Sequence, residues 1–121
     1  MTACLEKARE TTAAVAIAVV DATGTLLSLS RMDGARGYTV DLAMRKARTA
    51  AAIGIDTATL QAHAGSTPLP GEVLAVAGGL PVISGFATAG AIGVSGAKPE
   101  IDGAIAAAGL DAILTSTGSQ K

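Results

Sequence analysis

Tryptophan is absent from this chain of 121 residues, and tyrosine, phenylalanine, cysteine and histidine occur once each. A lone Cys4 excludes an intramolecular disulfide framework and any cysteine-rich zinc site, and one histidine with scattered carboxylates gives no metal-ligand spacing, so no metal site is expected. Neither sign of charge dominates. Nine Lys and Arg against ten Asp and Glu leave a net charge of −1, which supplies no field for nucleic acid or an anionic membrane surface. No apolar run reaches the roughly 18 to 20 residues of a membrane span. Lys7 and Arg9 ahead of the apolar run Ala13 to Val20 loosely imitate a signal peptide, but Glu6 and Glu10 interrupt the basic region and Asp21 closes the run. A soluble, cytoplasmic protein is expected.

What the chain does have is small apolar residues. Hydrophobic residues make up 50% of it while aromatics are 2%, and 27 alanines stand beside 15 glycines. A core so poor in large anchors requires elements that approach closely, and it leaves apolar surface for a second copy, so a homo-oligomer is expected. The length fits one domain spanning 1–121.

Periodicity divides the chain into an α+β order. Thr2 to Glu10 reads as a short amphipathic helix. Ala14 to Asp21 and Thr25 to Arg31 are β-rich runs joined by the turn residues Asp21-Ala22-Thr23-Gly24, a β-hairpin. Residues 31 to 37 read as a loop. From Thr39 the spacing is helical, with Val40, Ala43, Met44, Ala47, Ala50 and Ala51 on one face and Asp41, Arg45 and Arg48 on a charged stripe. Lys46 falls at a less polar edge. Gly54 stops this helix, and Asp56 or Thr57 caps a shorter one through about Ala62. A long loop is expected from His63 to Gly71. Three more strands are read at Val73 to Ala77, Leu80 to Ser84 and Ala87 to Val94, the first two joined by a tight Gly78-Gly79 turn. Pro99 opens a last helix, with Ile101, Ile105, Ala108 and Ala112 inward and Glu100 and Asp102 favoured by its dipole. The tail from Thr115 is expected to fray. The sum is a five-stranded antiparallel sheet covered by helices.

Four segments together carry a family resemblance: AVAIAVVDATGTLLSLSRMDGA (14–35), KARTAAAIG (46–54), AGGLPV (77–82) and AGAIGVSGAKPEIDGAIAAAG (89–109). They resemble the GlcG/HbpS family of small heme-binding and heme-degradation-associated proteins, to which the propanediol-utilisation heme-binding domain is related. The resemblance implies a profilin-like α+β fold, a homo-oligomer and heme as a ligand. It also marks a departure, because the N-terminal helix here is short and lacks the histidine that some relatives use to ligate heme.

Among chemically able residues, His63 is the sole imidazole and so the only conventional neutral heme ligand or general base near pH 7. Its plain alternatives are a solvated loop histidine or a helix C-terminal residue favoured by the dipole. Met32, Met44 and Tyr38 are further iron-ligating types, the methionines being better suited to packing. Arg31, Asp33 and Lys46 form a set at the hairpin's exit and on the next helix. An Arg and a Lys there would hold a carboxylate or heme propionate, with Asp33 orienting them or moving a proton, or else Asp33 is a structural ion-pair partner. Glu100 and Asp102 invite an acid-base pair, but carboxylates at a helix N-terminus are expected for the dipole alone. Gly90, Gly93 and Gly96 do not form a dinucleotide fingerprint and suit close packing instead. Ser95 has no neighbouring base.

Two functions follow. The first is an oligomeric protein binding heme or a related small molecule near a subunit boundary through Arg31, Lys46 and His63. The second is a cofactor-independent isomerase, tautomerase or hydratase acting on a small carboxylate or carbonyl compound, with Lys46, Asp33 and His63 as catalytic groups. A purely structural assembly subunit would have no pocket.

Overall fold

The computed structural model describes residues 1–64 and 73–119. Its elements run α1 (Thr2–Glu10), β1 (Ala16–Asp21), β2 (Leu26–Arg31), α2 (Tyr38–Ile53), α3 (Thr57–Ala64), β3 (Gly79–Ser84), β4 (Ala87–Ser95) and α4 (Pro99–Ser119). The strands pair antiparallel in the order β2-β1-β4-β3. Among the described residues the sheet therefore has four strands, not the five expected.

The two faces of the sheet are built from different residues. Val15 just ahead of β1 and Ile17 on one side of it, with Ile92 and Val94 of β4, pack against Cys4 and Ala8 of α1 and Ile105 and Ala106 of α4. The opposite side of the same strands carries Ala16, Ala18, Val20 and Ala91, which meet Ala43, Ala47, Ala50 and Ala51 of α2. Strand alternation thus sends bulk to one layer and methyl groups to the other. The alanine layer lets α2 lie directly on the sheet. Gly93 completes that approach, because a Cβ there would run into the backbone of Ala43 and Ala47.

Local chemistry explains the boundaries. The Asp21 carboxylate accepts from the backbone N–H groups of Thr23 and Thr25 at 2.9 and 3.0 Å and closes the β1–β2 turn. Asp56 caps α3 by accepting the Thr59 N–H at 2.7 Å. Gly54 ends α2 at φ 80, a left-handed conformation that costs an L-residue about 1–2 kcal/mol. Gly54→Ala is accordingly expected to lower stability by about 1 kcal/mol with the fold retained; an unchanged thermal midpoint would contradict this.

The missing fifth strand has a definite cause. Val73 to Ala77 has the composition of a strand, but its backbone bonds to helix side chains: the Leu74 N–H donates to Thr49 Oγ1 at 3.0 Å, and Thr57 Oγ1 donates to the Val76 carbonyl at 2.5 Å. Gly78-Gly79 is not a hairpin turn either. Gly78 accepts the Val94 N–H at 2.9 Å, and Gly79 lies so close to α2 that a Cβ would stand 2.5 Å from the Lys46 carbonyl. The expected frayed tail is helical as far as Ser119, and Gln120 and Lys121 lie outside the described residues. His63 and Ala64 belong to α3, while the rest of the expected loop, 65–71, is also outside them.

Candidate functional site

At one end of the sheet, the start of α2, residues 74–76, the end of β4 and the start of α4 enclose a hollow of about 270 Å³. Its walls include Leu42, Leu74 and Val76, with Tyr38 also in its lining. Three of its polar residues are buried: Lys46, Ser95 and Asp102 are 3, 5 and 2% exposed. Apolar walls around a few convergent polar groups are the general character of small-molecule sites.

Lys46 reaches this position from the middle of α2. Its ammonium donates to the Val94 carbonyl at 2.9 Å and to Asp102 Oδ2 at 3.2 Å. Gly78, at φ 128, makes room for the stem, since a Cβ there would stand 3.0 Å from both Cδ and Nζ of Lys46. Asp102, in the first turn of α4, is held from its other side by the Ala97 N–H, which donates to Oδ1 at 3.0 Å. Burial pushes the Asp102 carboxyl above the usual carboxylate range, although Lys46 and the Ala97 N–H pull it down. An ammonium has three N–H donors, and two are taken by the protein.

A second hollow of about 370 Å³ adjoins the first and shares Tyr38, Thr39, Gly96 and Ala97 with it. Arg36 and Ile101 line its far side. Tyr38, 64% exposed, is therefore the one phenol common to both linings.

The structure brings together only part of the expected set. Lys46 is in the inner hollow, and its ion-pair partner is Asp102, not Asp33. Arg31 does stand at this end of the sheet: it pairs with Ala16, which on its other side pairs with Ser95, so its backbone lies about 10 Å from that residue. Its guanidinium, however, donates to the Ala35 carbonyl at 2.8 Å. Asp33 is exposed in the following loop. His63 is exposed in the last turn of α3, its Nδ1 2.9 Å from the Thr59 carbonyl. None of Arg31, Asp33 and His63 lines either hollow. Sequence reasoning favoured the helix dipole for Asp102 and missed its pairing with Lys46. The available signal was its spacing: Asp102 shares a helix face with Ile105, Ala106 and Gly109, where an unpaired carboxylate would be costly.

Residues 1–111 match the family described as "Haem degrading protein HbpS-like". A double mutant of Streptomyces reticuli HbpS is 35% identical, with a TM-score of 0.85 over 92% of this chain and 79% of that one. Klebsiella pneumoniae protein ORFY is 33% identical, with a TM-score of 0.84 over 91% of this chain and 81% of that one. The PduOC:heme complex is 28% identical, with a TM-score of 0.80 over 92% and 86% of the two chains. No curated protein sequence gives a significant match.

Proposed function

The chain belongs to the HbpS-like family, and on that premise we propose that it is a binding protein that seats heme, or a related amphipathic molecule, in the concavity around Tyr38. The observation that carries this reading is the pair of adjoining hollows with one phenol common to both linings. Support comes also from the PduOC relative, which was solved as a complex with heme.

The residues present fit such a group. A tyrosine is among the axial donors that hold heme iron, and Tyr38 is exposed at the shared lining. Arg36 offers a planar fork for a propionate, and Ile101, Leu42 and Val76 offer apolar contact. Bound heme would supply redox chemistry at iron. The protein's part is to hold it: Tyr38 as donor, Arg36 as counter-charge, the buried Lys46–Asp102 pair as a fixed polar floor. The enzymatic alternative required Asp33 or His63 beside Lys46, and neither lines the hollow.

Hollows of about 270 and 370 Å³ lie near the lower end of ligand pockets, which span roughly 300–1,000 Å³. A second copy of the chain closing over them would complete the seat. Leu26, Leu27 and Leu29 are exposed on the edge strand β2, a form of surface that soluble monomers avoid. Leu27→Arg is expected to shift the mass measured by light scattering from a multiple of 11.7 kDa toward the single chain; a wild-type chain that is monomeric at high concentration would refute the assembly. Among the described residues no helix is long and apolar enough to cross a membrane, and a cytoplasmic setting agrees with the single, buried Cys4.

The deciding experiment is titration with hemin followed at the Soret band. A saturable shift is expected from the native chain. Tyr38→Phe should weaken binding ~10-fold and change the band position, whereas His63→Ala should leave both as they were. A titration without saturation ends the heme reading, and loss of the shift in His63→Ala moves the ligand to the imidazole.

A further inference from the structure

The floor of the inner hollow is a charged pair that is already neutralised. Lys46 and Asp102 are buried and in contact at 3.2 Å, so together they present dipoles but no net charge. Both oxygens of Asp102 are engaged, Oδ1 by the Ala97 N–H and Oδ2 by Lys46. Lys46 keeps one N–H beyond the two it gives to Val94 and Asp102. A ligand oxygen can accept a hydrogen bond from it. A ligand carboxylate would do so while adding a second anion beside Asp102, with Glu100 contributing further negative potential to the same carboxyl. Withdrawn from water, that excess charge is expensive. Arg36 lines the outer hollow and not the inner one, so the cation without an ion-pair partner among the described residues lies away from this floor.

From these features we infer that the inner hollow receives the carbonyl oxygen of a small uncharged molecule on Lys46, and discriminates against the matching carboxylate. The inference rests on the reading of the concavity as a ligand seat and adds the chemical class of what enters its inner half. Size agrees. At about 30 Å³ per water, 270 Å³ is the space of about nine waters, which suits a compound of roughly that many heavy atoms. The walls of Leu42, Leu74 and Val76 take its hydrocarbon part. For a longer amphipathic ligand the same logic sets the direction: uncharged end inward, anionic end at Arg36.

The test uses acetophenone and benzoate, which match in size and differ in charge. Each is titrated into the native chain while the backbone amide resonances of Ser95, Gly96 and Ala97 are followed. Acetophenone should give saturable shifts there, with benzoate at least ~10-fold weaker. Asp102→Asn keeps the oxygen that accepts from Ala97 but removes the compensating charge, and should reverse the order so that benzoate binds more tightly. Leu42→Trp, which fills the hollow from its wall, should abolish the acetophenone shifts. Benzoate binding as tightly as acetophenone to the native chain overturns the inference, as does acetophenone giving no shifts at these amides. If hemin still saturates in that case, only the inference falls; if hemin fails as well, the seat itself is lost. Should Asp102→Asn not fold, the comparison in the native chain decides alone.

Discussion

Lys46→Met is expected to lower stability by about 3–5 kcal/mol, the range for breaking a buried ion pair by removing one partner. The methionine fills most of the lysine's volume, so little of this loss comes from packing. It comes from the Asp102 carboxylate, which is 2% exposed and would keep the hydrogen bond from the Ala97 N–H but lose its counter-charge. Against a typical total of about 5–15 kcal/mol, the variant would be marginal. Adding Asp102→Asn to it removes the stranded charge while retaining the bond from Ala97, and should recover most of the loss. The pH dependence follows from sign. Burial already raises the Asp102 carboxyl in the folded chain, and loss of Lys46 would raise it further. A carboxyl with a raised folded value binds protons preferentially in the folded state. Its burial is therefore without penalty below the unfolded value near ~4, and stability is lost as pH rises through the folded value. The gap between native chain and variant should be narrow in acid and widest at neutrality. Urea titrations across that range measure it. A gap below about 1 kcal/mol at neutral pH would mean that the pair behaves as a solvated surface pair.

Much of this architecture is legible in the residue pattern, and the exceptions share one cause. The hairpin, α2 with its stop at Gly54, and the Pro99 start of α4 rest on local signals, and the structure keeps them. Val73 to Ala77 fails as a strand because its backbone is satisfied by Thr49 and Thr57, residues distant in sequence. Its neighbours on α2 put Lys46 at a helix edge, yet what encloses it is Gly78 and Asp102, outside that helix. The sequence groups Arg31 and Asp33 with Lys46 because the hairpin's exit and the helix after it can bring all three to one end of the sheet. The backbone of Arg31 does reach the right end of the sheet, but its guanidinium donates to the Ala35 carbonyl of its own loop. Periodicity reports what one element does with its own faces. Which charge is paired across elements is decided by close approach, and in this chain close approach is governed by glycine.

Gly93→Ala, a single added methyl, is therefore expected to be the other severely destabilising change, at about 3 kcal/mol or more. Gly93 sits mid-sheet, paired with Ala18 on β1 and Gly79 on β3, directly under α2. Its new Cβ would strike the Ala43 carbonyl and the Ala47 N–H, which are helix backbone and cannot rotate away as a side chain does. Lifting the helix would separate the alanine layer in which Ala16, Ala18, Ala43, Ala47 and Ala50 are fully buried. It would also draw Lys46 from Asp102, so binding in the inner hollow should fall even in the fraction that folds. The same substitution at Gly103 supplies the contrast. That glycine is inside α4 with nothing within 4 Å of an added Cβ, so Gly103→Ala should raise stability by about 0.5–1 kcal/mol through helix propensity alone. Opposite signs for one methyl group at two glycines, read from urea midpoints, would show that α2 is positioned by steric contact with the sheet. A tolerated Gly93→Ala would mean that the helix has slack, and the pairing of Lys46 with Asp102 would then need some other constraint to hold it.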